Sequence, residues 1–192
     1  MAVGSFAGFA LAFFPIRGKG AALGFALVVS MLPGISILGP LYLVIRTLAL
    51  RDTWWALILT HTVFTLPLTL WTLHSTFKAL PLELFRAGLV DGLTPFQIFR
   101  KIFLPLASGG LATCGILNFI FSWNEFLFAL TFTTTEKART VPVGIALFAG
   151  LHEIPFGEMA AAAVIVSAPV VLLAMLFQKG IVSGLTQGAV KG

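Results

Sequence analysis

Charge is scarce in these 192 residues: Asp, Glu, Lys and Arg together make up 10% of the chain, which has one cysteine, one tyrosine and three histidines. A lone cysteine forms no intrachain disulfide, and Cys114 lies inside an apolar run, where it reads as a small packing residue. No GxSxG, no glycine-rich loop ending in Lys-Ser or Lys-Thr and no cysteine-histidine cluster is present. The chain therefore lacks the devices that hydrolyse ATP or cut a bond. Active transport would draw its energy from another chain or from an ion gradient. His152 and Glu153 superficially match the start of a zinc-protease helix, but Phe156 stands where the second histidine is needed and Pro155 opposes the helix.

Apolar residues fill the space that charge leaves. They make up 58% of the chain, and the mean hydropathy is +1.03, outside the range of soluble globular domains. The chain reads as an integral membrane protein. Its four longest apolar stretches cover residues 21–45, 54–77, 107–132 and 159–177, and a spanning helix needs about 20 residues. Only helices and closed barrels satisfy the backbone in lipid, and these runs are too long and too uniform for barrel strands, so the fold class is all-α. Residues 2–14 form a shorter run followed by Pro15, Arg17 and Lys19. Its charges follow the apolar stretch, unlike those of a signal peptide. It reads as the second half of a span whose beginning is missing, giving about five transmembrane helices, the first partial, in a single domain over residues 1–192.

The net charge of +5 does not point to nucleic acid, because the basic residues are scattered among loops. They report topology instead. Arg17, Lys19, Lys78, Arg86, Arg100, Lys101, Lys179 and Lys191 fall on one side of the spans, and Arg46, Arg51, Lys137 and Arg139 on the other. The positive-inside bias places residues 81–105 and the tail, residues 178–192, in the cytoplasm.

Within the first full run, Pro33 with Gly34 and Gly39 with Pro40 are helix-interrupting pairs, marking either a pathway or a kink at a packing contact. Residues 46–53 form a short outer loop, and Trp54 and Trp55 mark the outer end of the next span. His61, Thr65, Thr69 and His74 place polar groups on that helix, and such a histidine is expected to bond a neighbouring helix. Trp123, Asn124 and Glu125 are candidate translocation-pathway residues, since a charge at the bilayer centre costs about 3 kcal/mol even on the lenient insertion scale. Glu125 also lies toward an outer end, where water reaches it. Residues 133–158 form a long outer loop broken by Pro142, Gly150 and Pro155, and the last span opens on alanines suited to close packing. The tail is too polar and glycine-rich to span.

Residues 81–105, PLELFRAGLVDGLTPFQIFRKIFLP, are both amphipathic and charged. They divide at Asp91 and Gly92, a pair that favours a tight turn. Thr94, Pro95 and Gln97 then supply a capping box. At about 100° per residue, Leu84, Phe85, Gly88 and Leu89 face one way and Glu83 and Arg86 the other. Ile98, Phe99, Ile102 and Phe103 likewise oppose Gln97, Arg100 and Lys101. A loop lying along a membrane surface has the same pattern.

The run ELFRAGLVDG from Glu83 to Gly92, with IFLPL from Ile102 to Leu106, resembles the EAA motif of the inner-membrane permease subunits of bacterial ABC importers. FPIRGK from Phe14, WNEF from Trp123 and the tail GLTQGAVKG from Gly184 resemble the carbohydrate-importer branch, the MalG-like group. The tail and residues 131–142 are most similar to trehalose- or maltose-type permeases.

The resemblance implies the fold of type I ABC importer permeases lacking its N-terminal helix, in a multi-pass subunit of the bacterial cytoplasmic (inner) membrane. It implies a heterodimer with a second permease subunit, a pair of cytoplasmic ATPase subunits that carry the ATP and magnesium, an extracytoplasmic sugar-binding protein, and no cofactor on this chain. Glu83, Arg86, Ala87, Gly88, Asp91, Gly92, Ile102, Leu104 and Pro105 would then make the ATPase-coupling segment, and Thr186, Gln187, Gly188 and Lys191 would touch the ATPase from the tail.

Two positions depart from the family. Arg86 stands at the motif's Glu and Gly88 at its second Ala. In the family that Glu faces a basic group of the ATPase, so Arg86 reverses the charge, at a penalty of about a few kcal/mol in a desolvated site. Three readings follow: a compensated ATPase, Glu83 acting as substitute, or weakened coupling. A different class, an ion-coupled secondary transporter, would expect several buried ionisable groups and internal repeats, of which only Glu125 is a candidate.

Overall fold

The structure is a computed structural model that describes residues 1–147 and 155–186, with side chains followed to residue 178. Every element among the described residues is helical: α1 (Ala2–Phe13), α2 (Lys19–Ser30), α3 (Gly34–Thr47), α4 (Trp54–Lys78), α5 (Leu82–Val90), α6 (Pro95–Ile98), a π-helical segment (Phe99–Phe103), α7 (Leu104–Leu106), α8 (Ser108–Asn124), α9 (Leu127–Phe132), α10 (Val141–Ala146) and α11 (Phe156–Thr186). Among them α4 and the Phe156–Gln178 part of α11 are each long and apolar enough to cross a membrane, and the total reaches four if each of two interrupted helix pairs is one span.

The runs at residues 54–77 and 159–177 form as expected. The other two do not form single helices. The first is divided into α2 and α3 at Met31 to Pro33, whereas Gly39 and Pro40 lie inside α3 without breaking it. A side chain before proline disfavours the helical region, and Leu32 carries one where Gly39 does not; Pro67 after Leu66 nevertheless stays inside α4, so the preceding residue alone does not decide the break. The second run ends its first helix at Asn124 and restarts at Leu127, so no continuous helix covers residues 107–132. The outer stretch contains α10 and is not wholly loop. The helix expected to stop near residue 177 continues to Thr186.

The chain forms two compact units. The first comprises Met1–Met31, Thr65–Asn118 and the end of α11. In it, α1 lies close on α4 because a Cβ at Gly4 would overlap Thr69 Cγ2, and one at Gly8 would come within 3.2 Å of Leu73. The N-terminal turn of α8 meets α4 similarly: a Cβ at Gly110 would fall 2.6 Å from Thr76. Where no Cβ intervenes, helix backbones approach closely, the standard solution in an apolar solvent. Trp71 Nε1 ties α4 to α2 by donating to the Leu23 carbonyl at 3.0 Å.

The second unit, Leu32–Phe64 with Phe119–Leu176, is built around Ile45, Ala56, Phe128 and Phe132. Its indole groups also act as ties: Trp54 Nε1 donates to the Lys137 carbonyl at 3.1 Å, and Trp123 Nε1 to the Val166 carbonyl at 3.1 Å. The face of α11 carrying Val164, Ile165, Met175 and Leu176 is exposed, each by 64% or more.

Candidate functional site

Residues 81–105 fold as the pattern predicts, and the turn is better defined than the dipeptide alone implied. Gly92 has φ +77°, its N–H donates to the Leu89 carbonyl at 3.1 Å, and the Leu93 N–H donates to the Gly88 carbonyl at 2.9 Å. These bonds make a Schellman ending for α5, in which glycine takes the left-handed position. Thr94 then starts α6 with a complete capping box: its Oγ1 accepts from the Gln97 N–H at 3.3 Å, and its own N–H donates to Gln97 Oε1 at 2.8 Å.

Gly88 lets the two arms touch. A Cβ there would sit 2.8 Å from Ile98 Cγ1, and Ile98 is fully buried. Ile102 closes the contact from the next turn. The substitution of Gly for the motif's second Ala is thus matched to the isoleucine opposite.

Past Ile98 the backbone widens into one π turn, in which the Leu104 N–H donates to the Phe99 carbonyl. Pro105 accounts for it. It offers no N–H to the carbonyl of Lys101, and its ring would collide with that carbonyl in a regular helix.

The inner face of the segment is held by aromatic rings that the sequence reading did not single out. Phe9 and Phe13 of α1, Phe77 of α4, Phe85 of α5, and Phe99 and Phe103 of the π turn form one cluster, with Phe14 beside it. Phe13 stacks on Phe85 at 5.3 Å with an interplanar angle of 9°, and Phe9 meets Phe77 edge-on at 5.7 Å. The spacing of Phe6, Phe9 and Phe13 along α1 was the available signal. Phe6 packs against Phe96 and Phe99, so α1 touches the whole length of α6 and the π turn.

The outer face of α5 carries Glu83, Arg86, Ala87 and Val90, all exposed, with Val90 at 87%. Leu89, expected on the greasy side, is 46% exposed and sits at its margin. Arg100, Lys101, Asp91 and Pro105 are exposed as well, while Leu104 is half-buried.

Trp123, Asn124 and Glu125 close α8 and open α9. Asn124 Nδ2 donates to the Ile120 carbonyl at 2.7 Å. Glu125 Oε1 accepts from the Phe128 N–H at 2.8 Å and Oε2 from the Ala129 N–H at 3.0 Å, so the carboxylate caps α9. His61 Nε2 lies 3.4 Å from the same Oε2, the inter-helix partner expected for that histidine. The break at Glu125 has this physical cause: the side chain takes two backbone donors that a continuous helix would have used.

Asp52, which the sequence did not flag, joins two loops of the second unit. Its N–H donates to the Phe132 carbonyl, and its carboxylate accepts from the N–H groups of Thr134 and Thr135, each at 2.8 Å, and from the Thr135 hydroxyl. The Thr135 hydroxyl first, then these N–H groups, hold its pKa below the usual aspartate value. Thr186 is the last residue of α11, and Gln187, Gly188 and Lys191 lie outside the described residues, as do His152 and Glu153.

Residues 2–187 match the family described as the inner membrane component of binding-protein-dependent transport systems. The chain belongs to that family. It is 44% identical to the trehalose transport system permease protein SugB of Mycobacterium tuberculosis, over 99% of this chain and 70% of that protein. It is 46% identical to the trehalose/maltose transport system permease protein MalG of Thermococcus litoralis, over 100% of this chain and 69% of that protein. Among solved structures, a bacterial ABC transporter involved in import of the acidic polysaccharide alginate superimposes with a TM-score of 0.71 at 21% identity, covering 92% of this chain and 69% of that one. The fold is therefore that of an ABC importer permease.

Proposed function

We propose that this chain is a permease subunit of an ATP-driven importer for a sugar or related carbohydrate, and that residues 81–105 transmit the movement of a partner ATPase to the helices joined to it. The observation that carries the reading is the aromatic anchoring of that segment to α1 and α4. A knob that transmits a rigid-body displacement must not slide on its own support. The segment meets this requirement through the Phe9 cluster, the Gly88 contact and the two caps. Trehalose and maltose in the names of two relatives favour an oligosaccharide as substrate.

In this reading the partners are a second permease subunit, two ATPase subunits holding ATP and magnesium, and an extracytoplasmic sugar-binding protein. The segment and the C-terminal tail with Thr186, Gln187, Gly188 and Lys191 face the cytoplasm of a bacterial cell, in its inner membrane. This chain supplies no catalytic group. Trp123 and Glu125 serve the pathway indirectly, by setting the geometry of the break between α8 and α9. The test is the assembled transporter in proteoliposomes: sugar uptake should require ATP, the binding protein and the ATPase together. Uptake by this chain without an ATPase, driven by an ion gradient, would replace the reading with a secondary transporter.

A further inference from the structure

We infer that the seam between α2 and α4 is a binding site for an anionic phospholipid, its phosphate held by Arg17, Lys19 and Lys78 and its acyl chains lying along Leu27 and Leu68. The placement in the inner leaflet rests on the cytoplasmic orientation proposed above.

The FPIRGK run, which the coupling role leaves unexplained, forms one end of the site. Phe14 fixes it to the protein, its ring meeting Phe85 edge-on at 5.9 Å. The chain then turns through Pro15 and Gly18, the latter at φ +79°, and leaves Arg17 and Lys19 exposed at the start of α2. Trp71 sets the register of α2 on α4, since its Nε1 donates to the Leu23 carbonyl. Lys19 lies one helical turn before Leu23, and His74 and Lys78 lie one and two turns after Trp71. The charges of both lysines reach His74, so the two helices bring Lys19, His74 and Lys78 to the same end of the seam.

Three cations gathered without an acid call for an external anion. The ion pairs among the described residues are His61 with Glu125 and Arg139 with Glu136, and neither involves Arg17, Lys19 or Lys78. The acids of the whole unit are Glu83 and Asp91, both beyond the end of α4.

Deeper along the same seam the chemistry changes. Leu27, two turns beyond Lys19, is 43% exposed, and Leu68, on the Trp71 side of α4, is 41% exposed. Lys19 and Leu27 are about 12 Å apart along the helix axis, which carries the seam from headgroup level into the hydrocarbon core. Cations at helix ends above an apolar groove match the basic pockets between membrane helices that take anionic headgroups. An acidic protein segment would neutralise the cations but would leave unused the leucines that continue the seam toward the bilayer centre.

The test is native mass spectrometry of the complete transporter, released from detergent with dioleoyl phosphatidylglycerol or dioleoyl phosphatidylcholine added. The parent is expected to retain phosphatidylglycerol with a preference of about tenfold or more over phosphatidylcholine. Combining Arg17→Gln, Lys19→Gln and Lys78→Gln should bring the two lipids within about twofold. Arg100→Gln with Lys101→Gln, which removes cations elsewhere in the unit, should keep the preference. Arg17→Gln alone should lower it about fivefold, the worth of one cation at an anionic surface, and Arg17→Lys should hold it. That pair decides the matter should the triple variant fail to fold.

Equal retention of both lipids by the parent overturns the inference. So does an equal loss in the Arg100 and Lys101 variant and the triple variant, because charge then acts without a site. Displacement of the lipid by glycerol 3-phosphate assigns the cations to a soluble phosphate and also overturns it. Loss of ATPase co-purification in the triple variant, with lipid retention unchanged, assigns them to an acidic protein surface instead. The readout is lipid retention, so it stands or falls apart from the coupling role of residues 81–105.

Discussion

At Gly88 a single methyl group decides how closely α5 approaches the helix that follows. Gly88→Ala places a Cβ 2.8 Å from Ile98 Cγ1 and so requires the buried Ile98 to move, and Gly88→Val requires more. Overpacking of this kind costs about 1–3 kcal/mol, so the two variants should lower the thermal midpoint of the detergent-solubilised protein in that order. Thr94→Ala removes the acceptor half of the capping box and should cost about 1 kcal/mol, largely recovered by Thr94→Ser.

Asp52 adds a pH dependence. Its native pKa is depressed by bonds to Thr135 and Thr134, so the unfolded chain binds the proton more tightly. The stabilisation is complete above the ordinary aspartate range and is lost as pH falls through the depressed native value. Amide exchange at Thr134 and Thr135, corrected for intrinsic rate, should lose protection only in acid, whereas Asp52→Asn should lose it at every pH. None of these side-chain bonds was readable in the sequence, because Asp52 and Thr135 are 83 residues apart.

At the scale of elements, legibility followed the range of the interaction. The two arms of the 81–105 segment, its turn and its capping box are specified by neighbours within a few residues, and all were expected. The division of residues 21–45 was half legible: both proline pairs were visible, but prolines also lie inside the continuous helices α4 and α11, so a proline alone does not tell where a helix breaks. The break at Glu125 was not legible, since no glycine or proline marks it. A carboxylate that bonds the N–H groups of Phe128 and Ala129 does what a breaker residue would do. Glu125→Ala leaves those donors unpaired, at a cost of about 1–3 kcal/mol. Glu125→Gln keeps one acceptor oxygen and should lose less. Melting of both variants, with trypsin accessibility near Lys137 as a local probe, distinguishes capping from a purely electrostatic role.

For the whole molecule, composition alone was enough for the fold class, because hydropathy and run length admit only a helical membrane protein. The aromatic anchor was not anticipated: among nineteen phenylalanines spread along an apolar chain, the helical spacing of Phe6, Phe9 and Phe13 does not say which rings they meet until the helices pack. Topology is an expectation from charge counting, and chemical labelling checks it. Cys114 is fully buried, so a Cys114→Ala background is expected to fold and to be unreactive. In that background Val90→Cys should react with a membrane-impermeant maleimide in inside-out vesicles alone, and Lys137→Cys in right-side-out vesicles alone. The opposite pattern would reverse the assignment, and reaction of both from one side would refute it.

The π turn at Phe99–Phe103 has a consequence for the angular phase of the knob. One π turn accommodates a residue more than regular winding does, and each residue of an α-helix advances about 100° around the axis. Pro105 therefore acts as an indexing pin. Were the turn to rewind as regular helix, everything before it would rotate by roughly that angle relative to α8, and the outer face of α5 would point away from whatever it docks against. The direction in which this subunit can be pushed would then depend on a proline at the very end of the segment.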